Sequence, residues 1–95
     1  MNTIHIEPTE DKQVLDLVES AVRGEVIRLE LALELARRRL DPFERKYHVT
    51  SDDFAANMTA EDLQGGDDEY VRWAGEYKLT QRLEEKTQAV EGIAL

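Results

Sequence analysis

The side chains in this 95-residue chain that could do chemistry are few and scattered. His5 and His48 are its only histidines, and neither has a second His three or four residues away, so a metal site would need ligands from unrelated segments. Asp52-Asp53, Glu61-Asp62 and Asp67-Asp68-Glu69 are the densest carboxylates, but they lack the alternating oxygen ligands, central Gly and closing Glu of a calcium loop. Each group falls where a helix should begin. Solvated capping acids are not held at the raised pKa that general acid catalysis needs. Ser20 and Ser51 have no base at an activating spacing, and Gly65-Gly66 lacks the Lys and Ser/Thr of a phosphate loop. With no cysteine there is no thiolate nucleophile, disulfide or Cys-based zinc site. The expectation is a protein with no catalytic residue, metal or cofactor.

Arg37, Arg38 and Arg39, with Arg45 and Lys46, form the one basic concentration. They could contact an anion. Interleaved with Asp41 and Glu44, they are better explained as charges favourable to the C-terminal end of a helix.

The element that must carry them is long. Leu15, Val18, Val22, Val26, Leu29, Leu33, Ala36 and Leu40 recur three or four residues apart and form one apolar stripe, with Val14, Leu17, Ala21, Ile27, Leu31 and Leu35 beside it. Together they exceed the arc of about 100° that one core-facing helix needs. The spacing predicts a helix over residues 9–41 that continues in phase through Gly24, the alternative being a break there, and that ends or kinks at Asp41-Pro42. Surplus apolar surface on a domain this small predicts a homodimer paired along the first stripe.

Before this helix, Thr3 to Glu7 alternate and predict a short strand ended by Pro8. After it, residues 42–66 predict a linker with two short helical turns. Thr50 with Asp53 and Thr59 with Asp62 resemble capping boxes, and Val49 with Phe54 and Met58 with Leu63 have the spacing of hydrophobic staples. Gln64-Gly65-Gly66 reads as a turn, and a last helix runs over about 67–92. Tyr70, Trp73, Ala74 and Tyr77 share one side of its first half, while Leu79, Leu83 and Val90 lie nearly opposite in its second half. The aromatic face is either core or contact surface. Tyr70, Trp73, Tyr77, Leu79 and Leu83 are the candidate partner-binding residues, because large aromatics concentrate binding energy. The fold class expected is thus mainly α: a short N-terminal strand, one long amphipathic helix, short helical turns and a C-terminal helix in a single domain.

A formal charge of -9 disfavours nucleic acid and favours a basic protein partner, or simply solubility. No run of about 18 apolar residues is present, and the first residues lack a basic stretch before an apolar one, so the expectation is a cytoplasmic protein without membrane contact.

Lys46-Tyr47, Thr50-Ser51-Asp52-Asp53-Phe54 and Gly66-Asp67-Asp68-Glu69-Tyr70-Val71-Arg72-Trp73-Ala74, following a long apolar helix, resemble the tail of small acidic antitoxins from bacterial and archaeal toxin–antitoxin pairs. The resemblance spans mainly residues 46–91. It implies a type II antitoxin that neutralises a small basic toxin, often an RNase, by direct binding. The outline strand, helix, Gly24, helix is also similar to a ribbon-helix-helix autorepressor. Its outward strand residues Thr3, His5 and Glu7 offer no cation to phosphate, and Glu25-Val26 replaces the usual Ser/Thr cap, so nucleic acid is expected only weakly or within a complex. A purely structural helical dimer is the third alternative.

Overall fold

The computed structural model describes residues 8–93, which form three helices and one 3-10 turn in the order α1 (Pro8–Tyr47), α2 (Ser51–Asn57), the turn (Ala60–Asp62) and α3 (Gly66–Ile93). There is no strand among the described residues, and the segment expected to form one, Thr3 to Glu7, lies outside them. α1 and α3 run antiparallel: Lys46 meets Glu69 near one end, Arg37 meets Glu84 midway, and Glu30 and Glu91 line the same surface groove further along. The molecule is a rod of 64 × 28 × 17 Å with a radius of gyration of 20.4 Å, where a globular chain of this length would have about 12 Å.

α1 passes through Gly24 without a break, as its unbroken apolar phase requires. It also passes through Pro42, where the sequence predicts an end or a kink, and it does not end there. A proline inside a helix costs about 3 kcal/mol, because its nitrogen cannot donate to the carbonyl four residues back, here Arg38. The extra turns place Phe43 and Tyr47 on the stripe of Leu29, Leu33, Ala36 and Leu40, where both pack against the aromatic cluster around Trp73. Full burial of such a side chain contributes about 1.5–3 kcal/mol, and the half-burial of both works against the cost of the proline. The helix therefore takes residues 42–47 out of the expected linker. It stops at His48, whose φ of 54° is the left-handed conformation that closes many helices.

The connecting segment is fixed by local devices. Thr50 Oγ1 accepts from the Asp53 amide at 3.1 Å, but Asp53 takes Asn57 Nδ2 rather than completing the box. Asp62 Oδ2 accepts from the Thr59 amide at 2.8 Å. Val49 and Met58 pack on the cluster that holds Phe54 and Leu63, as staples would.

Two regions of different character result. A head, where α1, α2, the turn and the start of α3 converge, buries Leu40, Phe54, Leu63 and Trp73. A two-helix shaft buries Leu29, Leu33 and Ala36 of α1 and Thr80 and Thr87 of α3. Trp73, Thr80 and Thr87 follow at heptad spacing, so after Trp73 the buried residues on the α3 side of the shaft are threonines, with Leu83 and Val90 half-buried. Both threonines return their hydroxyls to the carbonyl four residues back, Glu76 O at 2.9 Å and Leu83 O at 2.6 Å.

Candidate partner-binding surface

Trp73 is the hub of the head, with 0% of its surface exposed. Phe54 stacks on its ring at 3.8 Å between centroids, and Phe43 and Tyr47 lie near-parallel at 5.4 and 5.7 Å. Its Nε1 donates to Ser51 Oγ at 2.9 Å, and the Ser51 amide donates to Glu44 Oε2 at 2.7 Å, tying α2 to both long helices. The aromatic face that sequence left as either core or contact surface is therefore divided. Trp73 is core, and a partner could reach its ring only by opening the head. Tyr70 and Tyr77 are half-buried on its flank, with the Tyr77 hydroxyl donating to Asp52. That bond to an acid holds the Tyr77 phenol above its usual pKa, with desolvation acting the same way.

Beside the hub lies a buried carboxylate that sequence reasoning had assigned to capping. Glu69 accepts from Lys46 Nζ at 2.6 Å, from the Tyr47 hydroxyl and from the Gly65 amide at 3.3 Å. The Lys46 hydrogen bond is the largest cause lowering its pKa below the ordinary carboxylate value, and Glu69 in turn raises Lys46. The Tyr47 oxygen also accepts from the Gln64 amide at 2.9 Å. A structural lock fits this geometry better than an acid–base pair, since the carboxylate is held by three donors at once. The sequence signal was the glycine before the acid: a Cβ at Gly65 would lie 2.7 Å from Glu69 Cβ, so only glycine lets the carboxylate fold back over the turn.

The free surface lies on the other side of α1. Ile27, Leu31 and Leu35 are 67, 57 and 45% exposed, and with Arg39 and Phe43 they form one ridge at four-residue steps. The ridge leads into an open groove of about 670 Å³ between α1 and α3, whose apolar lining includes Pro42, Phe43, Val71 and Leu79. Arg39, Lys46, Glu69, Arg72 and Glu76 supply its polar lining. Lys46 is held by Glu69, and Arg72 lies over the Phe43 ring at 5.8 Å. Glu76 Oε2 is buried and has no hydrogen-bond partner. Leu79, a candidate from sequence, is exposed in this groove, and Leu83 is half-buried one turn further along α3.

The self-association stripe is also divided. Leu29, Leu33, Ala36 and Leu40 are buried inside the chain, Val22 and Val26 are half-buried, and Leu15 and Val18 are exposed. The expected dimer stripe thus serves intramolecular packing along its C-terminal half. His48 is exposed at the end of α1, and no three metal-ligating side chains come together among the described residues. No described helix is long and apolar enough to cross a membrane. No family model, curated protein or solved structure matches this chain.

Proposed function

We propose that this chain is a binding protein that covers a partner along the outer ridge of α1 and the groove beside it, and that the partner is the basic toxin of a type II toxin–antitoxin pair. The single observation that carries the binding role is the row Ile27, Leu31 and Leu35, large apolar side chains left in solvent by a chain that has already filled its core. The groove supports the same reading because it offers pockets for apolar side chains of a partner beside Leu79 and Val71. The charge of -9 supports a partner of opposite sign, steered at long range. One detail narrows the contact: Arg39 at the rim calls for an acceptor from the partner. The antitoxin assignment itself rests on the resemblance carried by residues 46–91.

The test is to produce the chain together with the product of the adjacent gene. A small basic protein that arrests growth alone, is relieved by this chain, and purifies with it at fixed stoichiometry is the expected result. Replacing Leu31 and Leu35 together by Glu should abolish that complex while leaving helix content and thermal unfolding unchanged, since both side chains already lie in solvent. An adjacent product that is not a small basic protein overturns the antitoxin assignment. A complex that survives the double substitution overturns the ridge as its seat.

A further inference from the structure

The stripe from Leu15 to Leu40 is one continuous face of α1, and α3 covers only part of it. Glu91 lies beside Glu30, so α3, running antiparallel and described as far as Ile93, reaches among the described residues no further than the turn before Glu30. Beyond that point Val14, Leu15, Leu17 and Val18 are all exposed. This arm of α1, residues 8–24, is about 25 Å of helix at 1.5 Å per residue. Leu15 and Val18 continue directly the face that α3 buries, whereas Leu17 falls on the side of Leu35, about five turns away. The Leu15 and Val18 face lies apart from the Leu31 and Leu35 ridge and does not depend on the function proposed above.

We propose that the arm is covered by the arm of a second copy of this chain, running antiparallel to it. Three observations select this occupant and this direction. First, an antiparallel copy runs in the same direction as α3 and enters the lane that α3 vacates, so the established α1–α3 interface continues without a change of face. Second, the arm is polarised: its first half, residues 8–16, carries Glu10, Asp11 and Asp16 against Lys12, whereas in its second half, residues 17–24, Arg23 balances Glu19. Antiparallel pairing sets the acidic end of each arm against the neutral end of the other, while parallel pairing sets acid against acid. The helix dipoles favour the same direction. Third, in a parallel pair both α3 helices would compete for the space between the two α1 shafts. Antiparallel arms send the two heads to opposite ends, in a closed two-fold arrangement.

The experiment uses the full chain in light scattering and small-angle X-ray scattering. The expected mass at about 50 µM is twice 10.9 kDa, with a maximum dimension of about 100 Å, two 64 Å rods overlapping by one arm. Leu15→Glu with Val18→Glu should return the 10.9 kDa species with helix content retained, because both side chains are already exposed and the head does not use them. Leu31→Glu with Leu35→Glu should leave the dimer intact. A monomeric wild type overturns the proposal. So does a dimer with a maximum dimension near 64 Å, one that survives the Leu15 and Val18 changes, or one lost with Leu31 and Leu35. Because the toxin complex is read from the ridge variant and the dimer from the arm variant, either idea can fail alone.

Discussion

Trp73 Nε1 and Ser51 Oγ are 2.9 Å apart, both residues being buried, and this bond joins the middle of the aromatic stack to the first residue of α2. Ser51→Ala removes the only acceptor of a buried indole N–H, which should cost about 1–3 kcal/mol. Trp73→Ala should cost more, about 3–5 kcal/mol, through the cavity left among Phe43, Tyr47 and Phe54. Urea unfolding of both variants checks the order. Equal losses would mean that the stack contributes little beyond the hydrogen bond.

Gly65→Ala places a methyl 2.7 Å from Glu69 Cβ, a backbone-anchored atom that cannot rotate away. The turn must shift, at a cost of about 1–3 kcal/mol. Gly75→Ala, which meets nothing within 4 Å, should instead hold or raise stability. Thermal melts of the two variants side by side check this: a Gly65→Ala variant as stable as Gly75→Ala would remove the close approach as the reason for glycine at 65.

The Lys46–Glu69 pair makes stability depend on pH at both extremes. Glu69 has a lowered pKa in the folded chain, so its contribution is complete above its unfolded pKa and is lost as pH falls through the folded value. Lys46 has a raised pKa, so its contribution is complete below its unfolded pKa and disappears as pH rises through the folded one. Glu69→Gln should flatten the acid limb of a stability–pH curve, and Lys46→Met the alkaline limb. An acid limb as steep in Glu69→Gln as in the wild type would assign it to other carboxylates.

Pro42→Ala restores the amide that the Arg38 carbonyl lacks inside α1. Stability should rise by up to about 3 kcal/mol, since Pro42 is itself exposed and gives up little packing. Denaturant midpoints provide the check. A fall would show that the proline sets a bend on which the Phe43 and Tyr47 contacts depend.

Much of the frame was legible because it depends on local rules. The phase of Leu15 to Leu40 carried the helix through Gly24, Thr50 and Thr59 marked the two short helical segments, and Gly65-Gly66 marked the turn into α3. What escaped depends on pairs distant in sequence. Pro42 looked like a terminus because the value of Phe43 and Tyr47 is visible only once Trp73 is beside them. Thr80 and Thr87 escape because a polar side chain does not mark a seam, yet both are buried with their hydroxyls satisfied within α3. Glu69 looked like a helix-start acid because nothing in its neighbours announces Lys46.

The contrast between an aromatic head and a threonine-lined shaft has a consequence for how protection is distributed along the molecule. Amide exchange should be slowest around Trp73 and Leu40, where opening must disrupt the whole stack, and should quicken step by step toward Val90 and toward the exposed start of α1. The two ends of α1 then belong to different cooperative units although one unbroken helix joins them. A protease would meet the chain first at Arg23 and Lys12 and last at Lys46, so a limited digest should shorten the rod from one end and leave the head as the resistant core.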